Sequence, residues 1–140
     1  KLMLTKEEAK REHKEKEGSP EIKQRIKTIQ RQMAQKRMMS DVPKADVIVT
    51  NPTHISIALQ YNPETMISPI VLAKGPDHLA FKIREIAASH GIPIVENIAL
   101  ARTLYKTVKI GEVIPRSLYK AVAEILAFVY KLKRKMKAVG

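Results

Sequence analysis

The sequence predicts a small α/β domain: one mixed sheet of about four strands flanked by helices, with a long N-terminal helical linker in front of it. Three observations carry that reading. Short β-forming runs alternate with helical repeats from residue 46 onward, which is the pattern of strands and helices sharing one core. Charge changes at the same border: residues 1–40 hold 12 Lys/Arg against 6 Asp/Glu, whereas residues 41–115 hold 7 of each. Pro43 then marks the join, because proline cannot continue a helix.

Residues 5–17, TKEEAKREHKEKE, are nearly all charged. Glu7 with Arg11 and Glu12 with Lys16 are favourable i,i+4 pairs, so a helix without an apolar stripe is expected. Gly18-Ser19-Pro20 interrupts it, with Ser19 as N-cap and Pro20 as the first residue of a second helix. Ile22, Ile26, Ile29 and Met33 put one apolar face on that helix, which should end by Ser40-Asp41. Residues 1–40 therefore read as a basic helical linker, and 41–140 as the compact domain.

Within the domain, residues 46–50 predict the first strand. Residues 54–61, HISIALQY, predict the second, with Ile55, Ile57 and Leu59 alternating with Ser56, Ala58 and Gln60. After the turn Asn62-Pro63-Glu64, residues 69–74 predict a third strand. Gly75-Pro76-Asp77 then starts a helix with the face Leu79, Ile83, Ile86 and Ala87, ended by His90-Gly91. Residues 92–95 predict a fourth strand, residues 98–108 a short helix, and Pro115 opens a long helix to about residue 137. On that last helix Leu118, Val122, Ile125, Val129, Leu132 and Met136 form a stripe expected to pack on the sheet. Residues 121–130, AVAEILAFVY, are apolar at nine positions of ten, more than one-sided packing needs. Ala123, Leu126, Ala127 and Tyr130 are left either for a neighbouring element or for a partner.

Composition narrows the function classes. With no Cys there is no disulfide, thiolate metal site or thiol nucleophile, in keeping with a reducing compartment. The four histidines have no metal-ligand spacing, no metal or cofactor is expected, and no phosphate loop or nucleophile elbow occurs. No run of 18 apolar residues exists, so no segment is expected to span a membrane. The chain starts at Lys and reads as a piece of something longer. Residues 116–140 carry 7 Lys/Arg against 1 Asp/Glu, so both ends are basic. Basic ends suit nucleic acid or the headgroups of a membrane leaflet. Without a helix-turn-helix pattern or an aromatic stacking platform, a nucleic-acid-binding module is the alternative rather than the expectation.

Chemistry concentrates at Asn51-Pro52, where the first strand runs into a turn. An Asn side chain can close two five-membered rings. In one, the next residue's amide nitrogen attacks the side chain and deamidates it. Pro52 blocks that route, because its nitrogen carries no hydrogen. In the other, the Asn51 side-chain nitrogen attacks its own backbone carbonyl and Pro52 leaves as an amine. The chain is then cut without a protease. A fold can assist by holding nitrogen against carbonyl, where effective molarities reach about 10⁵ M or more. Local strain of ~1–3 kcal/mol can add to this, and donors can be aimed at the developing oxyanion. Pro52 itself biases Asn51 to extended geometry.

The surroundings of Asn51 are specific. NPTH ends "DVPKADVIVTNPTH" (41–54), and VLAKG (71–75), IREIA (83–87), GIPIVEN (91–97), LARTLY (100–105), IGEVIP (110–115) and LYKAVAEILAFVYKLK (118–133) follow in order. Over about residues 18–135 the chain resembles the cytoplasmic domain of the type III secretion switch protein family with the NPTH autocleavage motif, most closely its flagellar branch. The resemblance implies an N-terminal membrane domain preceding residue 1 and a place on the cytoplasmic face of the bacterial inner membrane. It implies self-cleavage between 51 and 52 as a single-turnover reaction, the pieces staying together. Asn51 would be nucleophile and electrophile and Pro52 the leaving group, while Thr53 and His54 would shape the turn. It further implies a role in switching export from rod and hook to filament proteins. The implied partners are other export-apparatus membrane proteins, a hook-length ruler protein and rod/hook-type export substrates. Pro69, Ala123 and Leu126 would form a docking patch for those substrates.

Overall fold

The computed structural model describes residues 18–139; the charged stretch 5–17 lies outside them. The chain divides into two units, 1–37 and 38–140. In the first, helix α1 (Pro20–Asp41) begins where expected: the Lys23 N–H donates to the Ser19 carbonyl at 3.0 Å. Its stripe of Ile22, Ile26, Ile29 and Met33 is exposed.

The second unit starts within the last turn of α1, whose Met38 is buried. A 3₁₀ turn, Val42–Lys44, carries Pro43 and leads into the sheet. Strands β1 (Val47–Asn51), β2 (Ile55–Gln60) and β3 (Ile70–Pro76) are followed by helix α2 (Asp77–Ser89). Strand β4 (Ile94–Glu96), α3 (Ile98–Thr107), a 3₁₀ turn (Arg116–Leu118) and α4 (Tyr119–Val139) complete the order. The sheet is mixed, as expected, with order β3-β2-β1-β4. β1 pairs antiparallel with β2 and parallel with β4, and β2 pairs antiparallel with β3.

Alternation along the strands divides side chains between two cores. Val47, Val49, Ile55, Ile57, Leu59 and Val71 face α3 and α4, joining Leu100, Leu104, Val122, Ile125, Leu126 and Val129. Ile48, Ala58 and Ala73 face α2 and the end of α1, joining Met38, Val42, Ile83 and Ala87. The central strand β1 is thus covered on both sides, and Val47, Ile48 and Val49 are fully buried. That explains why Val47-Ile48-Val49 reads as a continuous apolar run rather than an alternation.

Two expectations are corrected. The fourth strand begins at Ile94, not at residue 92. Ile92 is used to end α2: its N–H donates to the Ala87 carbonyl at 2.9 Å and that of Gly91 to Ala88 at 3.3 Å, with Gly91 at φ 69°. This is a Schellman stop, which needs a left-handed residue and so favours glycine. On α4 the buried face is Val122, Ile125, Leu126 and Val129, while Leu132 and Met136 of the expected stripe are 39% and 69% exposed. A helix of this length, at 1.5 Å per residue, extends further than those two buried turns.

Gly75 is fixed by a close approach. A Cβ there would lie 2.5 Å from the Leu79 Cβ, and neither atom can move without its backbone. Gly75→Ala is expected to cost about 1–3 kcal/mol by overpacking, seen as a lower urea midpoint with an unchanged m-value.

Candidate functional site: the hairpin corner at Asn51

Asn51 is the last residue of β1 and pairs with Ile55 of β2. Pro52, Thr53 and His54 alone connect the strands. The His54 N–H donates to the Asn51 carbonyl oxygen at 2.9 Å. This closes a β-turn with Asn at its first and Pro at its second position, where both are favoured. Pro52, Thr53 and His54 are exposed.

Each side of the corner is tied down. Before the bond, Thr50 is 2% exposed, and its hydroxyl donates to the Ile55 carbonyl at 2.7 Å and lies 3.0 Å from the Ser56 hydroxyl. The Arg84 guanidinium donates to that same Ser56 oxygen at 3.3 Å. The Thr50 carbonyl accepts the Asn97 N–H at 3.0 Å. Asn97 in turn caps α3, its side chain accepting the Leu100 N–H at 3.1 Å. After the bond, the His54 carbonyl accepts the Asp77 N–H at 2.8 Å. Asp77, at φ 47°, is the one non-glycine in the left-handed region among the described residues. The corner itself stays outside that region, so left-handed strain sits at its anchor and not at Asn51-Pro52.

The Asn51 side-chain oxygen accepts from the Thr53 hydroxyl at 3.4 Å, and that hydroxyl also contacts His54 Nδ1. The contact engages the carboxamide through its oxygen and not through its nitrogen. Asn51, Thr53, His54 and Ile55 form one wall of a cleft of about 400 Å³, and Arg102, Tyr105 and Lys106 of α3 form the other. The structure therefore gathers Asn51, Pro52, Thr53 and His54 on a single clamped turn.

Thr50, Ser56, Arg84 and Asn97 support the corner and were not singled out from sequence. Asn97 carried a readable signal, an N-cap residue directly before an apolar helical repeat. The Thr50–Ser56–Arg84 contacts depend on the β1–β2 register and on α2, which no local pattern encodes. Thr50→Val keeps the shape and removes the hydroxyl. It is expected to destabilise the fold by about 1–3 kcal/mol and to loosen the corner, read as a lower melting temperature.

Pro69, Ala123 and Leu126 line a second, apolar groove of about 310 Å³, with Tyr61, Ile67 and Tyr130 among its walls. Leu126 is only 3% exposed and forms its base, whereas Ile67 is fully exposed. Burial pushes the Tyr130 phenol above its usual pKa, with Asp46 and Tyr61 adding to the shift. Among the described residues no cluster of side chains could hold a metal. None of their helices is long and apolar enough to cross a membrane.

The sheet and its flanking helices have the fold of solved structures of an FlhB cytoplasmic domain and an EscU C-terminal domain. A sequence model of the "FlhB HrpN YscU SpaS Family" matches residues 1–129, and the chain belongs to that family. It is 53% identical to the flagellar biosynthetic protein FlhB of Bacillus subtilis, over 96% of this chain and 38% of that protein. To FlhB of Salmonella typhimurium it is 54% identical, over 96% of this chain and 35% of that protein. It thus spans little more than a third of these relatives. Among solved structures, the cytoplasmic domain of FlhB from Shewanella putrefaciens superposes with a TM-score of 0.72 at 46% identity, covering 76% of this chain and 81% of that one. A mutated EscU C-terminal domain gives 0.63 at 35%, covering 66% and 92%.

Proposed function

We propose that this chain is the self-cleaving cytoplasmic domain of a flagellar type III export component, which cuts itself between Asn51 and Pro52 and thereby helps switch export from rod and hook to filament proteins. The observation that carries the reading is the His54 N–H on the Asn51 carbonyl oxygen, in a turn fixed at both ends by neighbouring strands.

Asn51 Nδ2 attacks the Asn51 carbonyl carbon. The carbonyl oxygen takes up negative charge, and the His54 N–H already points at it, so no reorganisation is needed at that moment. The C–N bond to Pro52 breaks, and the proton lost by Nδ2 ends on the proline nitrogen. Residue 51 is left as a C-terminal succinimide. Water then opens the ring at either of its carbonyls, leaving one carboxylate on residue 51. Thr53 steadies the carboxamide oxygen and His54 supplies the backbone donor. This is a single-turnover reaction using the chain's own atoms.

After the cut, β1 keeps its ladders to β2 and β4 and its buried side chains. The core persists while the corner gains charge and freedom. One surface changes once, irreversibly, and partner preference can change with it. The groove at Pro69, Ala123 and Leu126 is read as the docking site for an apolar segment of rod/hook-type substrates. The other partners are read as export-apparatus membrane proteins and a hook-length ruler. The basic helix α1 suits the anionic headgroups of the cytoplasmic side of the inner membrane. Ala123→Glu is expected to weaken binding of a rod- or hook-protein segment at least tenfold by calorimetry without altering the melting temperature.

Purified protein tests the cleavage reading. On a denaturing gel it should run as two pieces, 1–51 and 52–140, that elute together on native gel filtration. A single band after long incubation at neutral pH would count against it.

A further inference from the structure

One feature of the corner is not used by the cleavage chemistry. Arg102 and Lys106 lie one turn apart on α3 and face Asn51 across the same cleft. Both are exposed, and among the described residues neither has a carboxylate or carbonyl partner. Lys74, close by, is different. Its ammonium donates to the Tyr105 carbonyl at 2.7 Å and lies 5.1 Å from the Tyr105 ring centre. That cation is committed to the C-terminal end of α3, where positive charge is favoured. Arg102 and Lys106 are left as an unpaired pair of cations opposite the scissile residue.

We propose that this cleft is a carboxylate-binding site, and that its ligand is the carboxylate which cleavage creates on residue 51. The proposal rests on the self-cleavage reading. Before cleavage Asn51 is neutral and offers the cations only dipoles. Once the succinimide has opened, residue 51 carries a full negative charge, whichever carbonyl water attacked. A guanidinium fits a carboxylate with paired N–H donors, and an ammonium one turn further can hold the same group. The new Pro52 amine is a cation and gains nothing there. The two new chain ends therefore separate by sign: the end of β1 is retained in the cleft, and Pro52-Thr53-His54 is released from it. The cut state is thus held in one arrangement instead of fraying at the end of the central strand.

The test is nuclear magnetic resonance relaxation of the residue 51 amide, with cleavage verified by intact mass. In wild type the amide is expected to be as ordered as that of Val49, and to lose order as salt is raised, because exposed charge pairs are screened. Arg102→Gln/Lys106→Gln should make it mobile at low salt, and Arg102→Lys/Lys106→Arg should restore order. Equal order in wild type and the glutamine variant would overturn the proposal. So would a glutamine variant that stays whole, since the cations would then act before the cut. A wild-type protein that stays whole would overturn the cleavage reading itself, and the mass shows that separately.

Discussion

Asn51→Ala is expected to leave the chain as one piece of 140 residues, with its fold intact. The methyl group has no nucleophile to turn on the backbone carbonyl, so the only internal route to breaking the 51–52 bond disappears. Little else changes. Asn51 is partly exposed at the end of β1, and its side chain makes one long hydrogen bond, 3.4 Å from Thr53. The backbone pairing with Ile55 and the His54 N–H to the residue 51 carbonyl involve no side-chain atoms. Circular dichroism should therefore match the wild type, and the side-chain change itself should cost no more than about 0.5 kcal/mol, as for a surface change away from special features. Two bands from this variant would mean that some other nucleophile cuts the chain.

Ile48→Ala is expected to act on the cut protein most strongly of all. Once the 51–52 bond is broken, nothing covalent joins β1 to the rest of the sheet. The N-terminal piece is then held by its ladders to β2 and β4 and by Met38, Val42, Val47, Ile48 and Val49, all buried. Ile48 is completely buried among Ala58, Ala73, Ile83 and Ala87. Those alanines cannot reach into the space its side chain would leave. A change of this kind costs about 2–5 kcal/mol. In the uncut chain that appears as lost stability. In the cut one it weakens the association of 1–51 with 52–140 by roughly 30- to 4,000-fold. The checking measurement is the concentration at which the two pieces separate on native gel filtration. Pieces that stay together equally well would mean that the strand ladder alone holds them.

Most of the fold was legible because its signals are local. Val47 to Asn51 ends at Pro52, α2 ends at Gly91 and α3 begins at Asn97, and each boundary is written in residues that touch it. The NPTH turn was legible for the same reason. What was not legible depends on tertiary placement. Ile92 looks like a strand residue, yet its N–H is needed to stop α2. Leu132 and Met136 continue the repeat of Val122 and Val129, but no part of the sheet lies beneath them to bury against. Thr50 and Ser56 look like ordinary strand polar residues, and only the register of β1 on β2 with Arg84 above shows that they brace the corner. The partners of Arg102 and Lys106 were invisible for a further reason: the proposed ligand does not exist until the chain has been cut.

The most direct measurement is mass spectrometry of the 1–51 fragment's C-terminus as cleavage proceeds. The account predicts a first product one water lighter than the acid. It should then open to two isomers, a C-terminal asparagine and an aspartic acid α-amide, because water can enter either carbonyl of the ring. A fragment that appears from the outset as C-terminal asparagine alone, with no dehydrated precursor, would mean that water and not the Asn51 carboxamide breaks the bond.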